Sequence, residues 1–132
     1  MNSTRLFERI ADYRKALARL HQALAETDLV RDATIQRFEF TFEMAWKAMK
    51  LYLEFKGVDV RNPKDTLREA LAQGLIGDGN AWTELQEQRN LTSHTYDEGI
   101  AKSVFSFLRS KGAALFDGFE TEIVKRTQRG AP

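Results

Sequence analysis

Cysteine is absent from the chain, proline occurs only twice, and neither sign of charge prevails. The first absence excludes disulfides, thiolate metal ligands and a cysteine nucleophile, and leaves the redox compartment open. With only two histidines to add, a zinc site is not expected. The prolines are Pro63 and the C-terminal Pro132, so little interrupts helical periodicity between the glycines. Lys plus Arg number 20 against 19 Asp plus Glu, a formal net charge of +1, which excludes a bulk positive field that would gather nucleic acid nonspecifically. Any RNA site must therefore be a local patch. No stretch approaches the roughly 20 apolar residues of a membrane span. The segment from Met1 to Arg9 carries acid and base before any apolar run can build, unlike a signal peptide. Gly77 and Gly79 lack the spacing and the Lys-Ser/Thr pair of a phosphate-binding loop and read as a turn. A soluble cytoplasmic protein is the expectation.

What is present is enough apolar material for one core: 42% hydrophobic and 11% aromatic residues over 132 positions, read as a single domain spanning 1–132. The apolar residues recur at three and four, an all-α pattern predicting an up-and-down bundle of four or five helices. Leu6, Ile10, Tyr13, Leu17, Leu20 and Leu24 stripe a first helix, with Ser3 or Thr4 available as its N-cap and His21 on its polar side. A second helix is expected from near Asp28 or Arg31 to Phe55, stopped by Gly57. It carries two apolar lines: Ile35, Phe38, Phe42, Trp46, Met49 and Leu53, and then Phe40, Met44, Leu51 and Phe55. One line would face the core, and the other a subunit interface, unless the helix lies centrally within the monomer. Glu39, Glu43 and Lys47 follow at four-residue intervals, favouring a Glu43–Lys47 pair on a solvated or interface strip.

Asn62-Pro63-Lys64-Asp65 starts a third helix, with Asn62 as cap, Leu67, Ala70 and Leu71 inward, and Gly74 as its end. Asp78 caps a fourth, which carries Trp82, Leu85 and Arg89. Asp97 or Glu98 opens a long fifth, with Ile100, Val104, Phe107, Leu108, Leu115, Phe119 and Ile123 inward and Lys125, Arg126 and Arg129 at its close. Gly112 and Gly118 weaken it somewhat.

The segment with chemistry in it is Arg89-Asn90-Leu91-Thr92-Ser93-His94-Thr95-Tyr96. An imidazole that exchanges a proton near neutral pH, close to a planar guanidinium, suits work on a phosphodiester. On a continuous helix, residues five apart are rotated by about 140°, so Arg89 and His94 converge only if the helix ends between them. Thr92 and Ser93 favour such a break, because their hydroxyls compete for backbone hydrogen bonds. Arg-x4-His alone is a weak signal, and by itself fits better a helix-ending arginine and a half-buried, hydrogen-bonded histidine. Tyr96, beside Asp97-Glu98, is expected to face solvent, and Trp46 and Trp82 to be core rather than base-stacking residues.

Together, Arg37-Phe38-Glu39-Phe40-Thr41-Phe42-Glu43-Met44-Ala45-Trp46-Lys47, then Pro63-Lys64-Asp65, then Arg89-Asn90 with His94 and Tyr96, resemble the HEPN superfamily. More narrowly, they resemble HepT-type nucleotidyltransferase substrate-binding proteins, partners of minimal MntA-type nucleotidyltransferases. The resemblance implies a homodimeric bundle in which two Arg-Asn-x3-His-x-Tyr segments face each other. It implies a toxin that is a metal-independent endoribonuclease acting on RNA without a cofactor, neutralised when the nucleotidyltransferase attaches AMP to the motif tyrosine. Arg89, Asn90 and His94 take the catalytic positions and Tyr96 the modified one. The competing readings are a noncatalytic subunit that presents a substrate to the nucleotidyltransferase, and a helical dimer with a scaffold role.

Overall fold

The stripe of the first segment winds into α1 (Ser3–Leu24), which buries Leu6, Ile10, Tyr13, Leu17 and Leu20 along one side. In this computed structural model, residues 3–24 and 31–128 are described, and they are helical throughout apart from short connections. α2 (Arg31–Phe55) is followed by α3 (Pro63–Ala72), α4 (Gly79–Leu91) and a 3-10 turn over Thr92–His94. Then α5 (Glu98–Phe107), a π-helical turn over Leu108–Gly112 and α6 (Ala113–Thr127) complete an all-α fold. Of the two starts expected for the second helix, Arg31 opens α2 and Asp28 lies outside the described residues, as does the closing Arg129. Ser3 and Thr4 are already helical, so neither is the N-cap.

The remaining boundaries follow the local chemistry. Gly57 (φ +85°) lets Val58 N–H reach Leu53 C=O at 2.8 Å and Gly57 N–H reach Glu54 C=O at 2.9 Å, the paired bonds of a Schellman motif. Gly74 (φ +71°) ends α3 in the same way, through Leu75 to Ala70 and Gly74 to Leu71. Side chains of Asn62, Asp78 and Asp97 accept backbone N–H groups at the starts of α3, α4 and α5. Buried Thr41, Thr66 and Thr127 satisfy their hydroxyls by donating to the carbonyl one turn back, so they cost the core no unpaired donor.

α2 is the central element, packed against α1, α3, α4 and α5. That accounts for most of its double apolar pattern: Ile35, Phe38, Phe42, Met49 and Leu53 are buried on one side and Met44, Ala45 and Ala48 beside them. Leu51 and Phe55 are half-buried, Trp46 is half-buried with its indole N–H on Glu43 at 3.0 Å, and Phe40 is 58% exposed. Leu71 also departs from expectation. It is 40% exposed because α3 buries Thr66, Leu67 and Ala70, leaving Leu71 to lie over the start of α4 at Gly79.

The expected single fifth helix is two α-helical pieces joined by a π turn. After its extra residue Phe116 is buried where Leu115 was expected, and Leu115 is only half-buried, while Phe119 and Ile123 are buried as expected. The ring of Phe116 lies 6.3 Å from Tyr13, 6.1 Å from Phe38 and 5.9 Å from Trp82, joining α1, α2, α4 and α6. Tyr13 donates its hydroxyl to the Phe116 carbonyl, and burial, with Glu120 and Asp117 nearby, pushes its phenol well above the usual range. Arg126 reaches further than a helix-closing cation: it pairs with Glu122 at 2.7 Å and donates to the Tyr52 hydroxyl and the Gln73 carbonyl, tying α6 to α2 and to the end of α3. His21 is half-exposed as expected, yet holds Asp117 of α6 at 2.6 Å.

The two glycines of the last helices have opposite roles. A Cβ on Gly112 would lie 3.0 Å from Leu108, 3.1 Å from Phe107 and 3.4 Å from Leu85, whereas one on Gly118 would meet nothing within 4 Å. Gly118→Ala should stabilise the protein by about 1 kcal/mol through helix propensity. Gly112→Leu should destabilise it by about 1–3 kcal/mol through overpacking of the turn. Chemical denaturation of the two variants checks both signs; a stabilising Gly112→Leu would mean that the π turn is not closely packed.

Candidate functional site

The expected break between Arg89 and His94 is present, and the motif's own hydroxyls make it. Thr92 donates to the Arg89 carbonyl at 2.6 Å, Ser93 to the Asn90 carbonyl at 3.0 Å and Thr95 to the Thr92 carbonyl at 3.2 Å. These bonds occupy carbonyls left open at the end of α4 and tighten the chain into the 3-10 turn. Asp97 follows, its N–H on the His94 carbonyl and its carboxylate on Gly99 and Ile100 N–H groups, so the turn is held at both ends.

On that frame His94 and Tyr96 stand together in solvent. His94 Nδ1 is 3.3 Å from the Tyr96 hydroxyl, the rings meet edge-on with centroids 5.9 Å apart, and Tyr96 is 85% exposed. Arg89 points from the last turn of α4 toward α2. Its Nη1 donates to the Thr92 hydroxyl at 3.1 Å and lies 3.7 Å from Glu39 Oε2. No hydrogen bond joins Arg89 to His94 among the described residues, so within one chain the two share a turn without touching. Asn90 opens on the other side of α4, into a groove of about 570 Å3 between α3 and α4 that also takes in Lys64, Arg68 and Trp82. Trp82 is buried core within that wall.

Spacing alone does not assign Arg89 a partner on α2, although Glu39 and Glu43 stand out as an acidic repeat. Glu43 lies on the same side of α2 and pairs with Lys47 at 3.2 Å, the expected i, i+4 contact. Burial pushes its carboxyl up, but hydrogen bonds from Trp46 and Lys47 and the charges of Lys47 and Arg89 outweigh this and hold it below the ordinary glutamate value. Arg89 is thus a guanidinium beside two acids, oriented but not closed off: a 3.7 Å separation leaves donors free for an oxyanion. Among the described residues no group of three or more His, Asp and Glu side chains is placed to hold a metal ion, and no helix is long and apolar enough to cross a membrane.

An arginine at the end of α4, with an imidazole and a phenol on the exposed turn that follows, can bind a phosphate, exchange a proton with it and present a hydroxyl for modification. Known proteins carry the same arrangement of chain. A family model described as nucleotidyltransferase substrate binding protein like matches residues 8–125. The chain is 38% identical over 92 residues to a Haemophilus influenzae protein named "Probable ribonuclease HepT"; the match covers 66% of this chain and 62% of that protein's length. A crystal structure of a Thermus thermophilus protein superposes with a TM-score of 0.77 at 36% identity, covering 84% of this chain and 98% of that one. A Haemophilus influenzae structure, described as the fold of a substrate binding domain of a nucleotidyltransferase, gives a TM-score of 0.65 at 27% identity, covering 92% and 98%.

Because its folded pKa lies below its unfolded one, Glu43 contributes stability above the ordinary glutamate range, near pH 4.3, that is lost as pH falls through the lower folded value. NMR titration of the Glu43 carboxyl should give a midpoint below that of a solvated glutamate, and Trp46→Phe should raise it. An unmoved midpoint would remove the indole hydrogen bond from the account.

Proposed function

The chain belongs to the nucleotidyltransferase substrate binding protein-like family, and from that premise we propose that it is a HepT-type HEPN ribonuclease, the toxin of a pair whose other member is an MntA-type nucleotidyltransferase. The observation that carries this reading is the exposed turn on which His94 and Tyr96 stand 3.3 Å apart, one helical turn beyond Arg89. Its second support is the homologue bearing a ribonuclease name.

The chemistry needs no group beyond the side chains and RNA itself. The 2′-hydroxyl attacks the adjacent phosphorus as its proton passes to a histidine, and the bond from phosphorus to the 5′-oxygen breaks. A proton returns to that oxygen, leaving a 2′,3′-cyclic phosphate and a 5′-hydroxyl end. His94 is the proton carrier. Arg89 stabilises the charge that builds on the non-bridging oxygens, where a preorganised guanidinium acts more strongly than in water. Asn90 lines the groove beside the motif and contacts the strand. One imidazole cannot both accept and donate in a single step, so the proposal includes a homodimer in which two turns face each other and supply two histidines. AMP esterified to the Tyr96 hydroxyl, which lies 3.3 Å from His94 Nδ1, would place a bulky anion beside His94 and exclude the substrate phosphate by volume and by charge. The same turn, without turnover, would serve the alternative of a noncatalytic partner subunit. Glu39 and Glu43 beside Arg89 are the feature that most favours it, since acids oppose the approach of a phosphate.

Expression in a host lacking the nucleotidyltransferase separates the two. The wild-type chain should arrest growth with loss of RNA integrity, and Arg89→Ala and His94→Ala should each lower RNA cleavage by the purified protein at least about 100-fold, the usual weight of a transition-state charge stabiliser and of a general acid–base group. Tyr96→Phe should keep cleavage and escape neutralisation by the nucleotidyltransferase with ATP. Equal, harmless expression of well-folded wild-type and variant proteins would establish the noncatalytic subunit instead.

A further inference from the structure

α1 and α2 enclose a second groove, of about 630 Å3, away from the motif. Arg9, Lys15 and Arg19 of α1 line one wall, Arg37 and Phe40 of α2 the other, and Asp12 is the single acid along it. In a chain whose total formal charge is +1, this groove holds a local excess of three positive charges. None of the four cations is held in an ion pair among the described residues. Arg37 is oriented by donating to the Arg19 backbone carbonyl at 3.1 Å, which ties its side chain to the opposite wall without neutralising its charge.

The arrangement of these groups selects an occupant. By helix geometry Arg9, Lys15 and Arg19 fall within an arc of about 120° and span about 15 Å of α1, a line of separated cations rather than a point charge. Phe40 faces this line with 58% of its surface in solvent, a large apolar ring left uncovered amid charge. A second copy of the chain docked here by a two-fold axis would bring like charges together, which is unfavourable. A line of cations with a free aromatic face beside it is the arrangement that binds single-stranded nucleic acid, phosphates along the cations and a base on the ring. The groove is also the local patch that a near-neutral chain needs if it is to hold RNA at all. Its α2 residues are neighbours of Glu39 in sequence, and Glu39 contacts Arg89, so groove and motif occupy adjacent faces of one helix.

We infer that the α1–α2 groove is a docking track for single-stranded RNA, in which Arg9, Lys15 and Arg19 contact phosphates and Phe40 stacks a base, outside the reacting centre. The inference rests on the ribonuclease reading for the choice of RNA, and strand binding is measured separately from cleavage. His94→Ala protein, which leaves the probe intact, is titrated with a fluorescein-labelled unstructured 12-nucleotide RNA at several salt concentrations, and binding is read by anisotropy. Adding Arg9→Gln, Lys15→Gln and Arg19→Gln together should weaken binding about tenfold or more and make the slope of log K against log salt shallower by about 2, the value for three lost phosphate contacts on a single strand. Adding Phe40→Ala instead should weaken binding at least about fivefold with the slope kept. Circular dichroism melts of the variants, expected to match the parent, show that these surface changes leave the fold intact.

Unchanged RNA affinity and slope in the triple variant would overturn the proposal, as would absence of RNA binding in the parent. Loss of nucleotidyltransferase capture in the triple variant with RNA binding unchanged would overturn it in favour of a protein interface. Failure of the ribonuclease reading looks different: wild-type protein that cleaves nothing while the groove still binds RNA with the expected slope leaves the track in place on a binding protein.

Discussion

The packing of Phe116 against Tyr13, Phe38 and Trp82 is the contact on which the arrangement of the helices depends. It brings together four elements whose members are separated by up to 103 positions in the chain, and it closes with the Tyr13 hydroxyl on the Phe116 carbonyl. Phe116 takes this position after the π turn over Leu108–Gly112, which adds a residue to the last helical run. Leu115 beside it is only half-buried. Gly112 permits the turn to press against Leu85 of α4, so the same local irregularity that precedes Phe116 also fixes how closely α4 approaches. The motif at the end of α4 is thereby referred to a core contact formed by residues far from it in sequence.

At that end, two small effects act together. Hydroxyl groups of Thr92, Ser93 and Thr95 consume the carbonyls that would otherwise continue the helix, and the resulting turn exposes His94 and Tyr96. Thr92 also accepts from Arg89, so one side chain both ends the helix and aims the guanidinium. Across from it, Glu39 and Glu43 on α2 supply a negative shelf. A carboxylate 3.7 Å away restrains a long, rotamer-rich side chain without the closer geometry that would commit its donors. In the proposed ribonuclease, this compromise would order a cation before a phosphate arrives and lower the entropy lost on binding, at the cost of some repulsion toward the incoming anion.

The all-α class, the caps at Asn62, Asp78 and Asp97, and the stops at Gly57 and Gly74 were legible in the sequence because each rests on local pattern and chemistry. The break after Leu91 was legible for the same reason. What was not legible depends on events between helices. The π turn has no residue signature comparable to proline; Gly112 could be read as weakening a helix, but not as admitting Leu85. Leu71 carried the right spacing for burial, and its exposure follows from where α4 starts. Arg126 looked like a cation completing a helix end, while its reach to Tyr52 and Gln73 is set by the packing of α6 on α2. Phe40 fell on an apolar line of α2 but lines the open α1–α2 groove and is left 58% exposed, while Met44 on the same line is buried.

The near balance of 20 basic and 19 acidic residues conceals a division of charge over α2. On one side of this helix Glu39 and Glu43 face Arg89; on an adjacent side Arg37 and three α1 cations line a groove with one acid. An anionic strand approaching such a molecule gains little from the total charge and much from the side it meets, because screening confines each patch to about 10 Å at ordinary ionic strength. Affinity and reactivity can then be set by different residues. A strand held along the α1 cations does not require Arg89 to be free of its acidic neighbours, and the acids can remain to order Arg89 without abolishing binding. The composition that excludes a general attraction for nucleic acid is thus compatible with a specific one, provided that the cations are gathered on a face which the acids do not share.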